Sequence, residues 1–222
     1  MIIGDGLIAN AFADYHTNNR VIIFASGVSN SLQTKRKEFN REKKFLNEAL
    51  DFVSTIVYFS STICYDKNKE KYINHKRKME NLIFKKSKQL LIIRLPQIIG
   101  NGGNENTLIN FIVNKIKNDE EINVYDGVER SLVDVDDLKH IVDYILNKKI
   151  TGMFTLNHIE LVKIEDLVRL ISKHLKKEAK IKLVPGEKFP MYDNDPIINE
   201  ALDNLNIKST DYTKKLIKKY IK

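Results

Sequence analysis

Met1-Ile2-Ile3-Gly4-Asp5-Gly6-Leu7-Ile8-Ala9-Asn10-Ala11-Phe12 is a short apolar run that passes through G-x-G-x-x-A into a helical pattern. Each part of that spacing has a physical reason. Gly4 permits a tight turn, Gly6 lets the backbone approach a pyrophosphate, and Ala9, small in place of a third glycine, lets helix and strand pack closely. Free N–H groups and the dipole at the helix start then favour an anion. Alone this is a weak fingerprint; its meaning depends on the rest of the chain.

Beyond this segment the pattern alternates. Short continuous apolar runs at 1–3, 20–25, 56–60, 90–95, 122–125, 153–156 and 180–184 read as strands. Helical stretches lie near 7–16, 34–51, 70–88, 105–118, 137–148, 164–176, 197–204 and 211–221. Such strands between amphipathic helices predict an α/β fold with a doubly covered, mainly parallel sheet. Asp136 or Asp137 is placed to cap the helix after them, and Ile164-Glu165-Asp166-Leu167 opens another. Neither a repeat nor a low-complexity linker is present. Residues 185–196 read as a long loop of the kind often used as a lid.

Two further stretches carry chemistry. Val57-Tyr58-Phe59-Ser60-Ser61-Thr62 is an apolar run ending in hydroxyls, and Tyr72-Ile73-Asn74-His75-Lys76 places a lysine one helical turn after a tyrosine. A tyrosine that exchanges a proton with a carbonyl or alcohol oxygen must do so near neutral pH, although its free pKa is about 10. A cation one turn away favours phenolate and makes the proton mobile. A strand-end serine or threonine can hold the same oxygen. Tyr65 with Lys69 and Tyr144 with Lys148 share the spacing, so only context selects Tyr72.

Taken in order, these motifs resemble the extended short-chain dehydrogenase/reductase family, the NAD(P)-dependent nucleotide-sugar epimerases, dehydratases and 4-ketoreductases. Val21-Ile22-Ile23-Phe24-Ala25-Ser26-Gly27 is similar to the family's strand ending in a small-residue turn beside the cofactor. Tyr58-Phe59-Ser60-Ser61-Thr62-Ile63-Cys64-Tyr65 resembles its double-serine segment, with Tyr65 as the structural tyrosine. Tyr72-x-x-x-Lys76-x-x-x-Glu80 matches the catalytic helix. Ile93-Arg94-Leu95-Pro96-Gln97-Ile98-Ile99-Gly100 resembles an R-x-x-N-x-x-G strand and turn, with Gln97 in place of Asn. The stretch from Val124 to Leu138 resembles a segment whose arginine, here Arg130, contacts the diphosphate of a sugar nucleotide.

The resemblance implies a Rossmann-like, doubly wound sheet with a small interleaved C-terminal substrate lobe. It implies one domain over 1–222, its cofactor part mainly 1–96 and 122–149, its substrate lobe mainly 97–121 and 150–222. Ser61, Tyr72 and Lys76 become the catalytic residues. Gly4, Gly6, Leu7, Ile8, Ala25, Ser26, Gly27, Ser60, Tyr72, Lys76 and Pro96 are assigned to the cofactor. Ser61, Thr62, Gln97, Thr107 and Arg130 are assigned to a nucleotide-sugar substrate. The implied reaction is NAD(P)H-dependent reduction of a 4-keto group. The alternatives are 4-epimerisation and non-catalytic dinucleotide binding. A dehydratase would place an Asp-Glu pair where Ile63 and Cys64 stand. Simpler readings of single residues remain: an exposed Tyr72, an Arg130 ion-paired to Glu129 or Asp134, an Asp137 that only caps a helix, a Gly102-Gly103 turn.

One departure bears on the cofactor. Between the first helix and Val21 the family carries another strand–helix–strand, with the acid that reads the adenosine ribose about 20 residues after the fingerprint. Here Asp14-Tyr15-His16 leads almost directly to Arg20-Val21. The sequence therefore leaves NAD versus NADP undecided, with NADP(H) favoured; a truncated adenosine half-site suits an exchangeable cofactor, which favours reduction over epimerisation. Lys35, Arg36 or a second subunit are candidates to complete that side, and the family's helix pairing implies a homodimer.

Composition is that of a globular protein of 222 residues. The single cysteine, Cys64, excludes an internal disulfide framework and fits a reducing compartment. No apolar run reaches membrane-spanning length, so the expectation is a cytoplasmic protein. A net charge of +8 raises the question of nucleic acid. The lysines, however, interleave with apolar residues at helical spacing and lack a platform of stacking aromatics. Solvated helix faces, not nucleic-acid binding, are expected. The five histidines have no metal-ligand spacing, and no metal site is expected.

Overall fold

The protein is described from a computed structural model covering residues 1–28, 30–52, 54–65, 70–102, 107–186 and 192–222. Lys69, Gly103 and the middle of the 185–196 loop lie outside the described residues, as do the side chains of Cys64 and Tyr65. The first half of the chain runs β1 (Ile2–Ile3), α1 (Leu7–Ala11), β2 (Val21–Phe24), α2 (Arg36–Ala49), β3 (Thr55–Ser61), α3 (Lys71–Lys86), β4 (Leu90–Leu95) and β5 (Gln97–Ile99). There follow α4 (Leu108–Lys117), β6 (Ile122–Tyr125), β7 (Glu129–Asp134), α5 (Val135–Asn147), β8 (Gly152–Thr155), β9 (Leu161–Lys163) and α6 (Ile164–Leu175). The chain closes with β10 (Ile181–Val184), α7 (Pro196–Asn204) and α8 (Tyr212–Tyr220).

The central sheet has five parallel strands in the order β1-β2-β3-β4-β8. Its side chains alternate between two covered faces, because strand side chains repeat with period two. On one face Ile22, Phe24, Ile56, Tyr58, Leu90 and Ile92 pack with Leu46 and Ala49 of α2 and Met79 and Ile83 of α3. On the other, Ile23, Val57, Phe59, Leu91 and Ile93 join the cluster containing Leu138, Ile141, Val142 and Ile145 of α5. Burial on both faces is why these strands read as unbroken apolar runs. The α/β, Rossmann-like expectation is met.

The short link seen in the sequence has a direct structural consequence. β1 pairs with β2, Ile2 opposite Ile23 and Ile3 opposite Phe24, and forms one edge of the sheet. No strand among the described residues lies beyond it, where an adenosine-reading strand would pair.

Three strands, β5, β7 and β9, escaped the sequence reading. β5 follows β4 after Pro96 alone and has only three residues. β5 joins β7 in parallel and β7 joins β9 antiparallel, while β6 pairs with β10. This small sheet carries Glu129 and Arg130 to the central sheet's carboxyl edge.

The cap of α5 is Asp134, not Asp136 or Asp137. Its carboxylate accepts from the Asp136 N–H at 2.9 Å, from Tyr220 Oη at 2.6 Å and from Lys219 Nζ at 2.7 Å. Asp137 instead accepts from Tyr212 Oη at 2.6 Å, and that same oxygen accepts from the Asp134 N–H at 3.0 Å. α8 is thereby tied to the start of α5. The far end of the 185–196 loop is pinned as well. Asp195 accepts from the Thr155 N–H at 2.6 Å, and Asn194 Oδ1 accepts from the Asn157 N–H at 2.7 Å.

Candidate active site

The carboxyl ends of β1 to β4 open into a cavity of about 810 Å³. A crevice outside the carboxyl ends of parallel strands is where ligands bind in open α/β sheets, and the volume lies within the usual range of ligand sites. Register explains why the hydroxyls reach it. Phe24, the last residue of β2, lies opposite Tyr58, so Ser60 and Ser61 extend past the neighbouring strand.

The cavity gathers most of the residues singled out in the sequence. Gly6, Leu7, Ile8, Ala25, Ser26, Gly27, Ser60, Ser61, Thr62, Tyr72, Lys76, Pro96, Gln97, Thr107 and Arg130 all line it. Gly4 does not. At φ +130° it lies against the turn after β2, and a Cβ there would stand 2.6 Å from the Ala25 carbonyl oxygen. Its part is to let β1 turn tightly beside β2. Gly6 faces open space, with nothing within 4 Å of a built Cβ.

Tyr72 is half-buried on α3, one turn before Lys76. The lysine ammonium lies 5.8 Å from the centre of the Tyr72 ring. Two shorter polar contacts direct it elsewhere: Glu42 Oε1 at 3.1 Å and Tyr58 Oη at 3.2 Å. Glu42 is fully buried on α2 and ringed by donors. Tyr58 Oη donates to Oε1 at 2.6 Å, the Val28 N–H donates to Oε2 at 2.7 Å, and His75 Nε2 lies 3.0 Å from Oε2. Burial opposes ionisation of Glu42, yet Lys76 and the hydrogen bonds from His75, Tyr58 and Val28 hold its carboxyl well below the usual carboxylate range. Burial and the adjacent Glu42 charge push the Tyr58 phenol well above the ordinary tyrosine value.

A second buried carboxylate holds the strand end. Ser60 Oγ donates to Glu80 Oε1 at 2.7 Å, and Arg94 grips the same carboxylate through Nε at 2.8 Å and Nη2 at 2.7 Å. The acid trailing Tyr-x-x-x-Lys and the arginine of β4 are thus partners in one network. Ser60 is buried in this role, which leaves Ser61 and Thr62 as the more open hydroxyls on the cavity.

Arg130 stands on the wall contributed by β7. Burial lowers its pKa, and Nη1 donates to the Glu129 carbonyl oxygen at 2.7 Å. That bond goes to the backbone of Glu129, not to the Glu129 or Asp134 carboxylate of the simpler reading. Tyr144 donates to Glu200 at 2.8 Å on α7, outside the cavity. Lys35 and Arg36 open α2 and do not line the cavity. Arg41 does, with Nη1 2.8 Å from Ser26 Oγ, and it is ion-paired to Glu38 at 3.3 Å.

Glu42, Tyr58, Arg41, Asn157 and Tyr192 were not anticipated in these positions. One signal was present for Glu42. On α2, Phe39, Glu42, Leu46 and Ala49 share one face at helical spacing, and a charge in an apolar stripe needs a buried partner. Asn157 follows β8 and bonds Asp193 and Asn194, next to Tyr192, a contact across sequence that no local pattern encodes.

No family model and no curated protein matches this chain. Solved structures do match in fold. A dTDP-4-dehydrorhamnose reductase from Clostridium acetobutylicum is 16% identical over 97% of this chain and 85% of its own, with a TM-score of 0.68. A UDP-glucuronic acid 4-epimerase from Bacillus cereus, solved with NAD, is 16% identical over 92% and 77%, with a TM-score of 0.70. RMD from Pseudomonas aeruginosa, solved with NADPH, is 16% identical over 93% and 82%, with a TM-score of 0.67. The chain therefore shares the fold of these solved structures, with β1 at the edge of the central sheet among the described residues.

Proposed function

We propose that the protein reduces a 4-keto group on a nucleotide-activated sugar, using NAD(P)H held along the carboxyl edge of the sheet. One observation carries this reading: Ser61, Thr62, Tyr72 and Lys76 meet in one cavity with the G-x-G-x-x-A turn, although they come from three separate parts of the chain. The fold shared with sugar-nucleotide reductases and epimerases supports the substrate class.

The chain fits a nicotinamide dinucleotide over part of its length. Gly6 leaves open backbone for a pyrophosphate, and Ala25, Ser26, Gly27 and Pro96 line the same trough. Bound there, the cofactor would supply hydride. On the protein side, Ser61, with Thr62 beside it, holds the carbonyl oxygen. Tyr72 donates the proton to that oxygen, and Lys76 fixes the groups around it. Arg130 and Gln97, on the cavity wall, would hold the diphosphate and sugar. Substrate recognition would fall mainly to 97–121 and 150–222, the cofactor to 1–96 and 122–149.

The open β1 edge supports reduction over epimerisation, since a reductase must exchange its cofactor at every turnover. Arg41 beside Ser26 is a cation on the β1–β2 side of the cavity and supports NADP(H), whose additional phosphate needs one.

Tyr72→Phe tests the assignment of the acid. With nucleotide-diphosphate 4-keto sugars as substrates, NADPH consumption is expected to fall by about 10²–10⁴-fold, the usual contribution of a general acid. Cofactor affinity should persist. Equal rates in the variant and the wild type would remove Tyr72 from the chemistry.

A further inference from the structure

The Tyr-x-x-x-Lys spacing anticipates a bare cation beside the tyrosine. The structure supplies a buried pair instead. Glu42 is 0% exposed and Lys76 3% exposed, with Nζ to Oε1 at 3.1 Å. Four groups from three parts of the chain converge on the Glu42 carboxylate: Tyr58 on β3, His75 and Lys76 on α3, and the Val28 N–H in the β2–α2 connection. Gly27 roofs the pair on the cavity side. A Cβ on Gly27 would fall 2.7 Å from Lys76 Nζ and 3.3 Å from Glu42 Oε1, so only a glycine lets the ammonium reach this position.

Electrostatics then differs from that of an isolated lysine. A charge acts on a neighbour through the sum of the local field, and an anion 3.1 Å from the cation offsets most of its effect at longer range. Glu42 stays ionised because its burial is outweighed by its donors. We propose that Glu42 is a positioning residue of this site, fixing the Lys76 ammonium beneath Gly27 and cancelling its charge as felt by Tyr72. Tyr72 accordingly behaves as a protonated acid, suited to giving a proton in reduction. This rests on the reading of Tyr72 as the proton donor proposed above.

Other ionisable groups face the same space. Arg41 comes from α2, Asp5 from the β1–α1 turn, Glu129 and Arg130 from β7, and Tyr192 from the loop before α7. Tyr58, His75, Glu80 and Arg94 lie in the networks beneath. All are common to the variants compared below, so differences among those variants isolate the pair.

The test uses the ligand-free protein and no turnover, so its outcome is separate from whether 4-keto sugars are substrates. Tyrosine labelled with ¹³C at Cζ reports phenol ionisation by NMR, and Tyr72→Phe identifies the Tyr72 signal. The signal is titrated with pH in wild type, Lys76→Met, Glu42→Gln and the Glu42→Gln/Lys76→Met double variant. Removing the cation alone leaves Glu42 uncompensated and should raise the Tyr72 midpoint by about one pH unit or more. Removing the anion alone should lower it by about one unit. The double variant, neutral like the intact pair, should titrate within roughly half a unit of wild type. A double variant raised as far as Lys76→Met would show that Lys76 acts as an uncompensated cation, and would overturn the proposal. Should Lys76→Met alone fail to fold, Glu42→Gln and the double variant decide: an unmoved midpoint in the first or a raised one in the second overturns it.

Discussion

Lys76→Met is expected to destabilise the protein by about 3–5 kcal/mol at neutral pH and to make its stability rise in mild acid. The cost follows from the partner left behind. Glu42 is fully buried, and without Lys76 its carboxylate keeps only neutral donors and His75. In the wild type the Glu42 carboxyl is held well below its unfolded value. A depressed carboxylate stabilises above the unfolded pKa of about 4.3 and loses that contribution as pH falls towards the folded value. In the variant the burial penalty is no longer offset. A proton taken up by Glu42 relieves the buried charge in the folded state only, so stability should rise as pH falls from neutral to about 5. Urea denaturation at these two pH values measures both effects. A variant as stable as wild type, with an unchanged pH slope, would contradict a buried ion pair at this position.

Gly4→Ala should be strongly destabilising. At φ +130° an L side chain is strained, at a cost of about 1–3 kcal/mol. The new Cβ would also meet the Ala25 carbonyl carbon at 2.7 Å and the Ser26 nitrogen at 3.0 Å. These are backbone atoms that no rotamer change can move aside. Only Ile2 and Ile3 pair with β2, so separating β1 is the easiest relief. That would carry the start of α1 away from the cavity. Gly6→Ala is the contrast. Nothing lies within 4 Å of its Cβ, so folding should be spared while an approaching pyrophosphate is blocked. Thermal unfolding should show a fall of several degrees for Gly4→Ala and little for Gly6→Ala, with cofactor affinity lost in both. Equal stability of the two variants would refute this division of roles.

The sheet was legible because its strands are buried on both faces and its helices are amphipathic, so both periods show in the sequence. The deletion after α1 was legible too, since too few residues separate Tyr15 from Val21 to form a strand–helix–strand. β5, β7 and β9 were not. β5 and β9 have three residues each, and β7, six residues long, starts Glu129-Arg130-Ser131 and so lacks a continuous apolar run. Among the cavity residues, Gly6, Ser61, Tyr72 and Arg130 were picked out through the motifs that carry the resemblance, not from composition or periodicity. Spacing could not reveal where Lys76 directs its ammonium. That depends on Glu42, which approaches from another helix, and on the missing side chain of Gly27 (a residue read in the sequence only as part of a small turn). Asp134 was misplaced by the cap reading for a simpler reason. Three acids lie within four residues at the start of α5, and the choice among them is made by backbone geometry.

Reduction at this site requires a nicotinamide dinucleotide to bind in the cavity at the carboxyl ends of β1 to β4. Calorimetric titration of the purified protein with NADPH, NADP⁺, NADH and NAD⁺ measures this without knowledge of the sugar. Binding is expected, tighter for NADPH than for NADH, retained in Tyr72→Phe and weakened in Lys76→Ala. An absence of heat with all four forms, from protein shown to be folded, would contradict the proposed reduction and dinucleotide binding by this fold altogether.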